Sequence, residues 1–290
     1  MPSARLPATP DPLLFAVIGD YGWAGTDVAQ VAELVHTWKP QQIYTVGDNN
    51  YPAGSAETLD ANVGQYYHDY IAPYAGAYGS GATVNAFFPA LGNHDWLTSN
   101  AQPYLDFFSL PGNERYYTVT SGEVEFVVLD SDSHEPDGIG VSSVQAAWAR
   151  DTLQASTATW QVVLLHHAPY SSATHGPNPA VQWPFAEWGA DLVIAGHDHT
   201  YERLLVDGIP YVVNGTGGAP LYSFPALLPE SVVRDNSSHG AQRCTASKAT
   251  LTCDYLVVDA TAASGRLVDT FTLKNAAYSE QLYLPFVAGR

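Results

Sequence analysis

Five short apolar runs constrain this chain more than any other feature. Each stops at a glycine or histidine and opens onto residues that can bind metals. LLFAVI runs into Gly19-Asp20, QQIYTV into Gly47-Asp48, and AFFPAL into Gly92-Asn93-His94-Asp95. WQVVLL runs into His166-His167, and ADLVIA into Gly196-His197-Asp198-His199. Each run has the length and composition of a strand buried on both faces. Helical signals lie between some of them. Asp27 with Gln30 reads as a capping box, and Val28, Val31, Leu34, Val35 and Trp38 form an apolar stripe that stops before Pro40. Ser142 with Gln145 reads as a second capping box, opening a helix with Val144, Ala147, Trp148 and Leu153 inward. Strand–helix alternation predicts an α/β fold, and in such folds ligands gather where strand ends meet at one edge. The five loops are therefore expected to aim at one place.

The remaining segments read differently. RYYTVTSGEVEFVVLD, residues 115–130, is expected to be a hairpin with a Ser-Gly turn. After Leu205 the chain becomes mostly β, with YLVVDATAASGRLVDTFTL as a closing hairpin. There is no linker, low-complexity tract or internal repeat. The expectation is an N-terminal extension, 1–12, followed by one domain, 13–290, built of two packed mixed β-sheets flanked by helices. With 46% hydrophobic residues the chain is globular, and no apolar stretch approaches the roughly 20 residues that span a bilayer. A formal charge of -18 disfavours nucleic acid and anionic membranes as partners. It also denies an anionic substrate any long-range steering, so local positive charge, such as metal ions, would have to hold one.

The strand-end residues Asp20, Asp48, Tyr51, Asn93, His94, His167, His197 and His199 offer carboxylates, imidazoles, an amide oxygen and a phenol. That mixture suits hard and borderline transition metals. It is more than one ion needs. Two ions bridged by a carboxylate would use it, and such a pair clamps the attacking and leaving oxygens of an in-line phosphoryl displacement.

GDYG, GDNNY, GNHD, LLHHAP and GHDH resemble the five blocks of the calcineurin-like metallophosphoesterases, and within them the purple acid phosphatases. Most of the wider superfamily carries Asp-x-His in the first block. Here that position is Gly22, and Tyr51 from the second block stands in, as in the purple acid phosphatases. The resemblance spans roughly Leu13 to Arg203. It implies a four-layer sandwich with the metal site at the strand ends. It implies a first ion, Fe(III), on Asp20, Asp48, Tyr51 and His199, and a second, Fe(II), Zn(II) or Mn(II), on Asp48, Asn93, His167 and His197, with Asp48 bridging. His167 is taken over His166 because the family's ligand precedes a small or aromatic residue and then proline, as in His167-Ala168-Pro169. His166 is left as a supporting or core residue.

By the same resemblance His94 and His175 face the substrate, bind phosphate and protonate the leaving alkoxide, although an ordinary loop role for His175 stays open. Asp95 and Asp198 are expected to orient ligands. The implied activity is an acid phosphatase acting on phosphate monoesters, with water activated at the dinuclear centre as nucleophile. A phosphodiesterase or nucleotidase using the same metals is an alternative, as is a catalytically inactive binding protein on this fold. Small phosphate esters and inorganic phosphate are the expected partners, with no nucleic acid and no membrane.

Cys244 and Cys253 are nine positions apart and are expected to pair, closing a loop worth about 2–3 kcal/mol; two reduced thiols are the alternative. A disulfide implies an oxidising compartment. The first twelve residues hold no apolar signal core, which fits a removed signal or a plain cytosolic start; with the disulfide, the expectation is a secreted or periplasmic protein. His36, His68 and His239 have no motif context and are expected at the surface. Asp132, Ser133 and His134 form a polar loop that could rim the site.

Overall fold

All five apolar runs form strands: β2 (Leu13–Ile18), β3 (Gln42–Thr45), β4 (Phe87–Pro89), β7 (Trp160–His167) and β8 (Leu192–Gly196). This is a computed structural model describing residues 12–276 and 278, with the backbone of residues 4 and 5. Period-two alternation explains why the runs are apolar throughout. In β2, Phe15 and Val17 enter one core while Ala16 and Ile18 enter another. In β7, Val162 and Leu164 enter the first core, and Val163 and Leu165 a third.

Two sheets share the strands. β2, β3 and β4 are parallel neighbours in a six-stranded sheet of order β14-β13-β12-β2-β3-β4. Its antiparallel half is β12 (Gly240–Ala246), β13 (Thr250–Val257) and β14 (Arg266–Lys274). β7 and β8 are parallel in an eight-stranded sheet of order β1-β5-β6-β7-β8-β10-β9-β11. The others there are β1 (Ala4–Arg5), β5 (Tyr117–Ser121), β6 (Val124–Val128), β9 (Tyr201–Val206), β10 (Ile209–Asn214) and β11 (Ser231–Asp235). Of the expected N-terminal extension, β1 pairs in parallel with β5; the rest of residues 1–11 lies outside the described residues.

The sheets face each other across a core in which the Phe126 ring lies 4.9 Å from Phe15 and 3.8 Å from Tyr44. Full burial of each such side chain contributes about 1.5–3 kcal/mol. Helix α1 (Thr26–Trp38) covers the outer face of the six-stranded sheet with the predicted stripe, and α2 (Val144–Ala155) covers the eight-stranded sheet. Four layers result.

Several local expectations need correction. Helix α1 is capped at Gly25 without a side-chain bond, so Asp27 sits in the first turn rather than at the cap. Helix α2 is capped by Ser143, not Ser142: the Ala146 N–H donates to the Ser143 hydroxyl at 3.0 Å. Gln145 turns inward instead, where its amide bonds both the N–H and the C=O of Asp130 at 2.8 Å. A buried backbone turn needs those partners more than the helix start does. Val144, expected inward, is exposed. His36, His68 and His239 are each half-buried, with a ring nitrogen on a backbone carbonyl. The β5–β6 hairpin forms as expected around Gly122. Cys244 and Cys253 sit opposite each other on β12 and β13 and are bonded.

The loops after β2 and β3 zip together by backbone. Asp20 N–H donates to Gly47 C=O (3.1 Å), Gly22 N–H to Asp48 C=O (3.2 Å) and Tyr51 N–H to Gly22 C=O (2.8 Å). A Cβ on Gly22 would lie 2.1 Å from the Asn49 carbonyl carbon, so no side chain fits there. The same pairing of loops thus excludes a side chain at Gly22 and ties the backbone of Tyr51 beside it.

Two predictions follow from these contacts. Gly22→Ala, which must part the two loops, is expected to destabilise the protein by about 1–3 kcal/mol in urea unfolding. Ser143→Ala is expected to cost about 1 kcal/mol, and Ser142→Ala less than about 0.5 kcal/mol. Equal effects for the two serines would place the cap at the wrong residue.

Candidate metal centre

The loops that follow β2, β3, β4 and β8, and the end of β7 itself, converge between the two sheets. Asp20 and Asp48 are buried there, and neither carboxylate pairs with a lysine or arginine among the described residues. What faces them is a ring of softer groups. The Tyr51 hydroxyl lies 2.9 Å from Asp48 Oδ2, 3.3 Å from Asp20 Oδ1 and 3.2 Å from His199 Nε2. His199 Nε2 is 3.4 Å from Asp20 Oδ1. On the far side of Asp48, its Oδ1 is 3.4 Å from His166 Nε2, which lies 3.0 Å from Asn93 Oδ1 and 3.2 Å from His197 Nδ1. Two groups of donors share Asp48.

The adjacent histidines of β7 divide. His166 joins Asp20 and Asp48 in a cluster of donor atoms within 4.8 Å of one another, and the sequence choice of His167 does not. The reason is strand phase. Val162 and Leu164 point between the sheets, and His166 continues that side through a bulge that offsets Leu164↔Ile194 from His167↔Gly196. His166 crosses the inter-sheet space and donates from Nδ1 to the Val46 C=O of the opposite sheet at 2.8 Å. Gly47 leaves the room for it, since a Cβ there would lie 2.5 Å from the ring. His167 instead contacts the Ser131 hydroxyl through Nδ1 at 3.0 Å.

Backbone carbonyls set the ring orientations. His199 donates from Nδ1 to Pro220 C=O at 2.8 Å, and His94 from Nδ1 to Pro52 C=O at 2.6 Å. Each leaves Nε2 directed at the carboxylates; for His94 it is 3.9 Å from Asp48 Oδ2. Asp20, Asp48 and His197 hold left-handed backbone, with φ of 56°, 52° and 71°. Such strain in non-glycine residues clusters at functional sites.

Asp20 and Asp48 dominate the local electrostatics. Burial alone would neutralise His166 and His199, but the Asp48 and Asp20 carboxylates outweigh it and hold both imidazoles above their ordinary value. Burial, reinforced by Asp20 and Asp48, holds the Tyr51 phenol well above its own. His197 is held well below by burial and the neighbouring imidazoles, and His167 falls to about 3 for the same two reasons. Carboxylates, phenol, amide oxygen and imidazoles converging without a lysine or arginine among the described residues fit hard or borderline metal ions.

The surroundings include residues the sequence did not single out. Asn49 is a hub: its Oδ1 accepts from Thr45 (2.7 Å) and Tyr21 (2.9 Å), and its amide donates to Ala90 C=O and Asp95. Asp95, pushed up to about 7 by burial and the nearby Asp48, also accepts the Gly92 N–H at 2.8 Å, tying the Asn93 turn to the Asp48 turn. Asp198 accepts from Ser171 and from the His175 N–H (2.8 Å), fixing the His175 loop. The exposed His175 ring then stacks on His197 at 4.2 Å. Tyr222 stacks on His199 at 4.1 Å, and the exposed Trp23 lies 5.6 Å from Tyr51. His134 pairs with Asp132 and lies 5.9 Å from the Trp96 ring. No local pattern marks Tyr222 or Asn49, because their roles come from neighbours distant in sequence.

Comparison with known proteins agrees with this geometry. The chain is 26% identical over 237 residues to purple acid phosphatase 17 of Arabidopsis thaliana, covering 70% of this chain and 68% of that protein. It is 27% identical over 226 residues to a purple acid phosphatase of Glycine max, covering 70% and 47%. In fold it matches the purple acid phosphatase PPD1 of yellow lupin (TM-score 0.72, 19% identity, 93% of this chain and 55% of that one). It also matches GAP50, described as the anchor in the inner membrane complex of Plasmodium (TM-score 0.71, 17% identity, 94% and 95%). The chain therefore spans about half the length of the soybean and lupin proteins. The calcineurin-like phosphoesterase family matches residues 13–201, more than half of the chain, and the protein belongs to that family of metal-dependent phosphoester hydrolases.

Proposed function

We propose that residues 13–290 form one catalytic domain that hydrolyses phosphate monoesters at a dinuclear centre, as an acid phosphatase. In this reading Asp20, Asp48, Tyr51 and His199 hold Fe(III). Asp48, Asn93, His166 and His197 hold Fe(II), Zn(II) or Mn(II). The observation that carries it is the position of Asp48, with one oxygen facing Tyr51 at 2.9 Å and the other facing His166 at 3.4 Å. A bridging carboxylate needs that arrangement. When bound, such a pair supplies positive charge against phosphate oxygens and acidifies water.

The side chains do the rest. His94 has Nδ1 committed to Pro52, so Nε2 is the atom that can carry a proton to the leaving alkoxide. His175, on the other rim, can hydrogen-bond the phosphate. Asp95 and Asp198 act through the turns they tie down. The net charge of -18 leaves substrate capture to the centre itself. A catalytically inactive binding protein on this fold would be expected to lack ligands, and every expected donor type is present. The bonded cysteines support a secreted or periplasmic location.

Elemental analysis of purified protein is expected to give two ions per chain. His166→Ala is expected to lose one, and His167→Ala to retain both; the reverse pattern would restore the original assignment. Asp48→Asn is expected to lower kcat on p-nitrophenyl phosphate by at least about 100-fold, and chelation to abolish turnover. Faster hydrolysis of bis-p-nitrophenyl phosphate than of the monoester would favour a phosphodiesterase instead.

A further inference from the structure

His167 lies outside the Asp20–Asp48–His166 cluster, and its surroundings are specific. Its own N–H donates to the Ser131 hydroxyl oxygen at 2.7 Å, while the same oxygen lies 3.0 Å from its Nδ1. Ser131 is buried, and its hydroxyl proton has no other acceptor among the described residues. The serine therefore donates to Nδ1, which places the ring proton on Nε2. His167 is half-buried and Ser131 occupies its Nδ1, so Nε2 is the ring nitrogen left for a ligand. No described residue bonds to that nitrogen. The ring packs 4.4 Å from His197, whose other neighbour, at 4.2 Å, is His175. Three imidazoles thus line one side of the mouth.

His94 carries the opposite tautomer. Its Nδ1 donates to Pro52 C=O, so its neutral form presents a bare Nε2 to the centre. In neutral form, His94 offers an acceptor beside Asp48 and His167 a donor beside His197.

We propose that His167 is a substrate-binding residue whose Nε2–H donates a hydrogen bond to the phosphate group, with Ser131 as the positioning residue that fixes the donating tautomer. This rests on the phosphatase reading above. Because the donor is a neutral N–H, the bond does not require a protonated ring. It contributes equally to bound phosphate and reacting ester, so it sets affinity rather than the chemical step.

The test measures inorganic phosphate binding by calorimetry on the metal-loaded full chain, beside steady-state kinetics and metal content. His167→Ala is expected to weaken phosphate binding and raise KM by about tenfold, with kcat changed less than about threefold and two ions retained. His167→Gln, which keeps an N–H donor, is expected to recover most of the affinity, and His167→Phe none. Ser131→Ala is expected to weaken phosphate binding by a smaller factor, and the double variant with His167→Ala to be no weaker than His167→Ala alone. Unchanged phosphate affinity in His167→Ala and His167→Phe, or additive losses in the double variant, would overturn the proposal while leaving the phosphatase reading intact. A wild-type chain that binds neither inorganic phosphate nor p-nitrophenyl phosphate would overturn both.

Discussion

Two buried carboxylates held close together, with no lysine or arginine partner among the described residues, set the terms for the rest of the structure. Asp20 and Asp48 repel each other and are cut off from water. Such a pair persists only where something positive stands between and beside it. The chain answers with imidazoles, a phenol and an amide, all of which can share electron pairs with metal ions. That choice explains the crowding of donor types at one sheet edge.

Holding that arrangement falls to the backbone and to Asn49. The zipped loops fix Asp20 relative to Asp48, and the Asn49–Asp95 contacts fix Asp48 relative to Asn93. His166 reaches from one sheet to a carbonyl of the other and so sets the spacing between the sheets at the site. The strained residues Asp20, Asp48 and His197 sit where these constraints meet, and the packed layers on either side oppose their relaxation.

The fold is shared with a protein described as an anchor as well as with phosphatases. Architecture alone therefore says little about activity. The donor set, and the pairing of Gly22 with Tyr51, separate this chain from a bare scaffold. The rim adds the exposed Trp23 and His175 and the half-buried Tyr222, aromatic rings packed on Tyr51, His197 and His199.

Strand positions, the α/β class and the types of residue at the strand ends were legible in the sequence, because buried strands and turn residues are local patterns. The placement of Tyr51 beside Asp20 and Asp48 was legible too, since all three lie in recognisable blocks. The two helix caps were misread because the capping pattern also fits residues whose side chains are drawn elsewhere, as Gln145 is to Asp130. That His166 and His167 lie together at the end of a strand could be read from the order of residues alone. Which one meets Asp48 was set by folding, because that depends on the phase of β7 through its bulge and on the Val46 carbonyl across the gap between the sheets.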